Sequence, residues 1–346
     1  MRRRRSVRLL LGFWLLAFIS SVPAGADDVA AFYRGRQVRI VVGSAAGGGY
    51  DLFARIVARH LVGHIPGNPS VIVQNLPAAG GMVMTNQLYG QGPRDGTVIG
   101  APINFIPTAP LLQPGAAQFD ANKLICIGST NREAYVAFAW HTAPVQRVTD
   151  LSGTELIVGA TTPGTTMVDF PALVNDILGF KFKIVRGYQG TPQINIAIER
   201  GEVHGMGAIG WASVKAQTPH WIDEKKIRVL AQYGLKRHSE LADVPTMLEL
   251  AQSEGDRQAM AMLFARTEYG RPYFLPPDVP AERVQALRRA FDATMRDSSF
   301  IADAARLQLE IDPMTGEEVQ ALVARLSNTP PDIVARVRAA LEGTKP

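Results

Sequence analysis

The stretch Val38-Arg39-Ile40-Val41-Val42-Gly43-Ser44-Ala45-Ala46-Gly47-Gly48-Gly49-Tyr50-Asp51 decides the fold class of this sequence. Four of its first five residues are β-branched, and a glycine ends the run, which reads as a buried strand. From Asp51 onward Leu52, Phe53, Ile56, Val57 and Leu61 recur at helical spacing, so an amphipathic helix over residues 51–61 follows the glycines. Strand, glycine turn and helix together form the repeating unit of an α/β protein.

The same alternation continues outward. Apolar, strand-like runs occur at residues 71–73, 98–100, 124–127, 135–140, 155–160, 182–185 and 227–231. Helical patterns stand between them at residues 167–178, 192–200 and 247–251. From Ala281 the pattern becomes wholly helical, through Val284, Leu287, Phe291 and Met295, then residues 319–326 and 333–341. The expected architecture is a set of mainly parallel sheets flanked by helices. A length of 346 residues suggests two domains. No glycine- or serine-rich linker divides them, so several short crossings should join them, with the last helices closing back on the first. The division expected is residues 27–137 plus 267–346 for one domain and 138–266 for the other; the stretch 254–266 carries no element expectation.

Charge and export signals narrow the function. The chain carries 36 Lys and Arg against 31 Asp and Glu, but Arg2, Arg3, Arg4, Arg5 and Arg8 lie within the first 26 residues, which contain no acid. The remainder is balanced, leaving no cationic field to steer a nucleic acid. Those 26 residues read as a secretory signal: arginines, then the apolar run from Leu9 to Ile19, then the small-residue site Ala24-Gly25-Ala26. The run is too short to span a bilayer. The single cysteine, Cys126, sits among apolar neighbours and reads as a core residue rather than a nucleophile.

Three small-residue loops could carry chemistry, and each follows a strand and opens a helix. In the first, Ser44, Gly47, Gly48, Gly49, Tyr50 and Asp51 bare backbone N–H groups at a helix start, where the dipole adds partial positive charge. It is neither a dinucleotide fingerprint, because Ala45 replaces the second glycine, nor a P-loop, because no Lys-Ser/Thr follows Gly48. The glycines alone fit an anion site and a tight turn capped by Asp51 equally well. The second loop holds Ala78, Gly80 and Gly81, and the third Gly164, Thr165 and Thr166. In open α/β sheets such loops gather at the carboxyl ends of the strands. Tyr188 and Trp211 follow strands and could wall the same cleft or fill the core. His60 and His64 are four apart but lack the Glu of H-E-x-x-H, and Gly63 and Pro66 end their helix, so they read as basic groups at a helix C-terminus. There is no G-x-S-x-G elbow.

The ordered set of motifs resembles the tripartite tricarboxylate transporter receptors, the Bug-type periplasmic solute-binding proteins. It comprises Gly47-Gly48-Gly49-Tyr50-Asp51 with Ala54-Arg55, Asn75-Leu76-Pro77-Ala78-Ala79-Gly80-Gly81, Pro93-Arg94-Asp95-Gly96-Thr97, Tyr188-Gln189-Gly190, Gly201-Glu202-Val203 and residues 243–249. The resemblance implies a two-domain Venus-flytrap fold that grips a carboxylate between its lobes. The family's first ligand loop maps onto Ser44 through Asp51, its second onto Ala78 through Gly81, and its third onto Gly164-Thr165-Thr166. The sequence departs from the family where Ser44 replaces an aromatic, Ala46 a proline and Tyr50 a small hydroxyl residue, so ligand identity does not carry over.

The expectation is a monomeric periplasmic receptor, cleaved near Ala26, that delivers a small carboxylate to the subunits of a membrane permease. Neither catalysis, cofactor, metal nor nucleic acid is expected. The alternatives are a ligand sensor for a membrane kinase, or an exported hydrolase or isomerase using Asp51 or His204 as a base.

Overall fold

The computed structural model describes residues 25–342. The arginine cluster and apolar run read as an export signal lie outside the described residues. In chain order the first half contains α1 (Gly25–Tyr33), β1 (Gln37–Val42), α2 (Gly49–Leu61), β2 (Ser70–Asn75), α3 (Met82–Gln91), β3 (Val98–Ala101), the single turn α4 (Ala109–Leu112) and β4 (Ile125–Ser129). Next come β5 (Tyr135–Trp140), β6 (Leu156–Gly159), α5 (Thr166–Leu178), β7 (Phe182–Val185), α6 (Thr191–Glu199), β8 (Gly205–Gly210), α7 (Trp211–Gln217), α8 (Pro219–Asp223), β9 (Ile227–Tyr233) and α9 (Glu254–Phe264). The chain ends in β10 (Pro272–Leu275), α10 (Ala281–Arg296), α11 (Ser298–Arg306), β11 (Met314–Thr315), α12 (Gly316–Ser327) and α13 (Pro331–Glu342).

Two mixed sheets organise these elements, with strand orders β11-β4-β10-β3-β1-β2 and β7-β6-β8-β5-β9. In the first, β1 lies between its parallel neighbours β2 and β3, while β10 and β11 run against the rest. In the second, β6 pairs in parallel with β7 and β8, and β5 alone is reversed. Strand direction is therefore mainly parallel, as expected, but each sheet is completed by a strand that arrives from the other. The chain leaves the first sheet after β4, returns to it at β10, and leaves again after α12. We call each sheet with its helices a lobe.

Local chemistry explains the opening unit. Val38, Ile40 and Val42 are buried on one face of β1, while Gln37 and Arg39 point to solvent. Phe53, Ile56, Val57 and Leu61 form the buried face of α2 and pack with that strand in one core. Cys126 is fully buried in the adjoining core, and burial pushes its thiol up to about 12, as befits a core residue.

Three expectations need correction, and a stretch that carried none gains a helix. The helix expected at residues 247–251 is one 3₁₀ turn, Met247–Leu250, in which the Thr246 hydroxyl accepts the Glu249 N–H at 3.1 Å. The stretch 254–266 supplies α9, capped by Ser253 and burying Met260, Leu263 and Phe264. The helical C-terminal region is broken by β11, whose two residues pair with β4. Finally, α13 does not close back on the first lobe. Its Ile333, Val334 and Val337 join the second lobe's core against α5 and α9.

Candidate functional site

The turn between β1 and α2 is built around Asp51. Gly47 sits at φ +80°, and its N–H donates to Asp51 Oδ2 at 2.9 Å. Arg55 Nε donates to the same oxygen at 2.9 Å, and Asn75 Nδ2 reaches Oδ1 at 2.9 Å and the Ser44 carbonyl at 3.0 Å. Burial pushes the Asp51 carboxyl up, but hydrogen bonds from Arg55, Gly47 and Asn75 outweigh it and hold the acid below its ordinary range. Asp51, only 3% exposed, has its oxygens committed to shaping the loop. In this structure it positions the loop, and an acid held this far toward its ionised form is not a base poised near neutrality. Gly48 is the N-cap of α2, and the helix start leaves the N–H groups of its first turn free of intrahelical partners. The Ser44 hydroxyl is buried without a partner.

The second loop presses on the first. Ala79, Gly80 and Gly81 are all left-handed, at φ +50°, +62° and +88°. A Cβ at Gly81 would stand 2.9 Å from the Gly43 oxygen and 3.0 Å from its Cα, so two backbones meet where no side chain fits. Ala78 remains exposed beside them.

In the second lobe, the turn between β6 and α5 repeats the device. Gly164, at φ +90°, donates its N–H to Asp169 Oδ1 at 3.0 Å. Asp169 Oδ2 accepts from Arg266 Nη1 at 2.8 Å, and Arg266 Nε also donates to Thr108 Oγ1 of the first lobe at 2.9 Å. Thr165 and Thr166, both buried, begin α5, and the Thr165 hydroxyl donates to the Thr162 carbonyl at 2.8 Å.

The three loops face one another across the lobes. A Cβ on Gly80 would lie 3.2 Å from Thr162 Oγ1, and one on Gly49 would lie 2.6 Å from Ser213 Oγ of α7. A Cβ on Gly164 would lie 2.6 Å from Gln113 Nε2 and 3.3 Å from the Phe105 ring. The small residues therefore serve a second purpose that the sequence did not reveal: they let the lobes approach backbone to side chain.

Tyr50 stands at the inner end of this meeting point. Its hydroxyl accepts the Asn104 N–H at 3.0 Å and lies 3.5 Å from the Tyr135 hydroxyl of β5. The Arg271 guanidinium covers its ring at 4.4 Å, donates to Ser213 Oγ at 3.2 Å, and forms a buried ion pair with Glu133. Burial pushes the Tyr50 phenol up, and Tyr135 further.

Asn104, Glu133, Tyr135, Arg266 and Arg271 escaped the sequence reading. A signal existed for the arginines: each interrupts an apolar run, in Leu263-Phe264-Ala265-Arg266 and in Arg271-Pro272-Tyr273-Phe274-Leu275. A charge in such a setting needs a buried partner.

Tyr188 follows β7, half-buried against the second lobe's core, and its N–H on the Ala160 carbonyl at 3.4 Å sets it beside the start of the Gly164 loop. Trp211 opens α7 with its indole packed in that core and its N–H on Glu240 at 2.8 Å, so it is core rather than cleft wall. His204 precedes β8, at the opposite end of the sheet from the Gly164 turn, which removes it as a base for cleft chemistry. His60 and His64 pin the end of α2 to Asp303 and Asp297, each at 2.9 Å. Among the described residues no group of three or more His, Cys, Asp or Glu could hold a metal, and no helix is long and apolar enough to cross a membrane.

Comparison with known proteins supports the fold. Residues 53–338 match the family described as the tripartite tricarboxylate transporter family receptor. Among solved structures, the periplasmic binding protein BugD superposes with a TM-score of 0.70 at 22% identity, over 90% of this chain and 99% of that one. A Rhodopseudomonas palustris protein solved with adipate gives 0.68 at 21% identity, over 87% and 97%. MatC of the same organism, with bound malate, gives 0.67 at 17% identity, over 89% and 99%. These neighbours share the two-lobe fold of periplasmic binding proteins.

Proposed function

The chain belongs to the tripartite tricarboxylate transporter receptor family, and from that premise we propose that it is an exported receptor that closes its lobes over a small carboxylate. The observation that carries this reading is the convergence of three loops, two at the carboxyl ends of first-lobe strands and one at the end of β6, around the starts of α2 and α5. Free N–H groups and the positive dipole ends of two helices, one per lobe, suit an anion that both lobes must grip at once. Closure on the solute is then a population shift, because the anion has its full set of donors only in the closed state. The structural neighbours with adipate and malate hold carboxylates, and their family is one of binding proteins rather than enzymes.

The receptor is periplasmic, released by cleavage near Ala26, monomeric, and hands its solute transiently to a membrane permease. Its site residues are the backbone of Gly48, Gly49 and Tyr50, of Ala78, Gly80 and Gly81, and of Thr165 and Thr166, with Ser44 beside them. The lobes divide at the crossings after β4 and before β10, with α13 joined to the second.

A thermal-shift screen of the purified chain against carboxylates tests the proposal. A solute that binds only the folded state adds about 2.7 kcal/mol at a hundred times its dissociation constant. A selective shift, with the acid recovered unchanged, is the expected result. Consumption of the acid would replace the receptor with an enzyme, and silence across the panel would overturn carboxylate binding.

A further inference from the structure

Around Tyr50 several buried polar atoms have no hydrogen-bond partner; Arg271 Nε and Glu133 Oε1 belong to the ion pair over its ring, and two others, on Asn104 and Tyr269, stand outside that pair. Asn104 Nδ2 donates to the Tyr135 hydroxyl at 3.1 Å and to the Arg266 carbonyl at 3.0 Å. A carbonyl only accepts, so the amide nitrogen must face Arg266, and the orientation of the side chain is fixed. Asn104 Oδ1 is left in the interior without a donor. Tyr269 is also fully buried, in the packed core that holds Phe105, the residue after Asn104, and its hydroxyl has no partner. Tyr50 connects these atoms to the cleft: it is partly exposed, and its hydroxyl holds the Asn104 N–H. Buried polar groups are nearly always satisfied, and those that are not call for a ligand or a water.

We propose that Asn104 Oδ1 and the Tyr269 hydroxyl form an inner subsite for a hydrogen-bond-donating substituent of the solute, a hydroxyl or an ammonium, while the loop N–H groups hold its carboxylate. The inference rests on the receptor reading and deepens it. Asn104 Oδ1 can only accept, and the Tyr269 oxygen accepts as readily as it donates. A methylene in their place leaves both desolvated and unpaired, so the site discriminates against it. Opening of the lobes admits the solute, since the Tyr50–Asn104–Tyr135 hydrogen bonds join first-lobe residues to β5 of the second.

The test is calorimetric titration of the purified chain with succinate, malate and aspartate, one carbon skeleton without and with the donor, inside a wider carboxylate panel. Malate or aspartate should bind about tenfold more tightly than succinate, the effect of one well-made hydrogen bond. In Tyr269→Phe that preference should fall to within about threefold. The melting temperature of this variant should stay level or rise, because the hydroxyl removed had no partner; a merely structural tyrosine would lose stability and keep the preference. Equal binding of all three acids means an internal water only and overturns the subsite, as does binding confined to acids that carry no donor, or a Tyr269→Phe variant that keeps its preference. Each of those outcomes leaves the receptor standing. Silence across the whole panel overturns both.

Discussion

The turn before α2 and the turn before α5 use one device in two settings. In each, a left-handed glycine donates its N–H to an aspartate on the following helix, and an arginine neutralises that aspartate: Gly47, Asp51 and Arg55 in one lobe, Gly164, Asp169 and Arg266 in the other. The geometry matches closely, with ion-pair distances of 2.9 and 2.8 Å. The sources of the arginines do not. Arg55 is one helical turn beyond Asp51 and its side chain is 49% exposed, whereas Arg266 comes from the crossing before β10 and is 1% exposed. The first turn can therefore form from its own segment. The second exists only when the crossing is in place, and through Thr108 it is tied to the first lobe as well. One lobe presents a loop that folds locally; the other presents a loop whose shape reports how the lobes are joined.

Breaking the buried ion pair should have the largest effect. Arg266→Ala leaves Asp169 charged, desolvated and unpaired, and should cost about 3–5 kcal/mol in urea unfolding. Asp169→Asn in the same chain should restore part of that loss, because it removes the stranded charge. If Arg266→Ala costs under about 1 kcal/mol, the second turn is no more dependent on its arginine than the first.

Asp51→Ala comes next. It strips the Gly47 N–H and Asn75 of their acceptor and should cost about 2 kcal/mol, the range for hydrogen bonds to a charged group. Solute affinity should fall with it, since Gly47 loses the acceptor that fixes the loop, and Asn75, which holds the Ser44 carbonyl, loses its second anchor. Unchanged affinity would show that the loop keeps its shape without Asp51.

The glycines sharpen the comparison further. A Cβ on Gly47 meets nothing within 4 Å, whereas one on Gly164 meets Gln113 and the Phe105 ring. Gly47→Ala should cost only the left-handed backbone, about 1 kcal/mol. Gly164→Ala adds the displacement of Gln113 and should cost about 1 kcal/mol more. Equal melting temperatures for the two variants would mean that Gln113 yields freely.

What the sequence made legible follows the same division. The β1–α2 unit could be read because its apolar faces and the Gly47–Asp51–Arg55 contacts lie within one continuous segment, residues 37–61. The Gly164 turn was legible as a loop, but its arginine was not, since 97 residues separate Asp169 from Arg266. Tyr50 was singled out, yet Asn104, Tyr135 and Arg271, which fix its position, come from three distant segments. Strand β10 has four residues, begins with a proline and gains its identity only by pairing between β3 and β4. Glycine spacing marks where a backbone must turn or be bare, but does not say which side chain from another lobe will stand against it.

Arg55→Ala should have the smallest effect of the set. Its ion pair is half in water and spans i to i+4, so about 0.5 kcal/mol is expected, shrinking further at high salt. Acid tests the same group more selectively. The Asp51 carboxyl is held below its unfolded value near 3.8, so its contribution is complete above that pH and is lost as pH falls through the lower folded value. Removing Arg55 takes away one of the three donors that hold the acid down, which raises the folded value toward the unfolded one. The variant should therefore differ from the parent most near pH 7 and approach it as pH falls through the parent's lower folded value, where both come to carry a protonated Asp51. Stability curves measured from pH 7 to 2 should converge in acid; curves that stay parallel would mean that Arg55 acts through packing of its side-chain stem rather than through the carboxylate it faces.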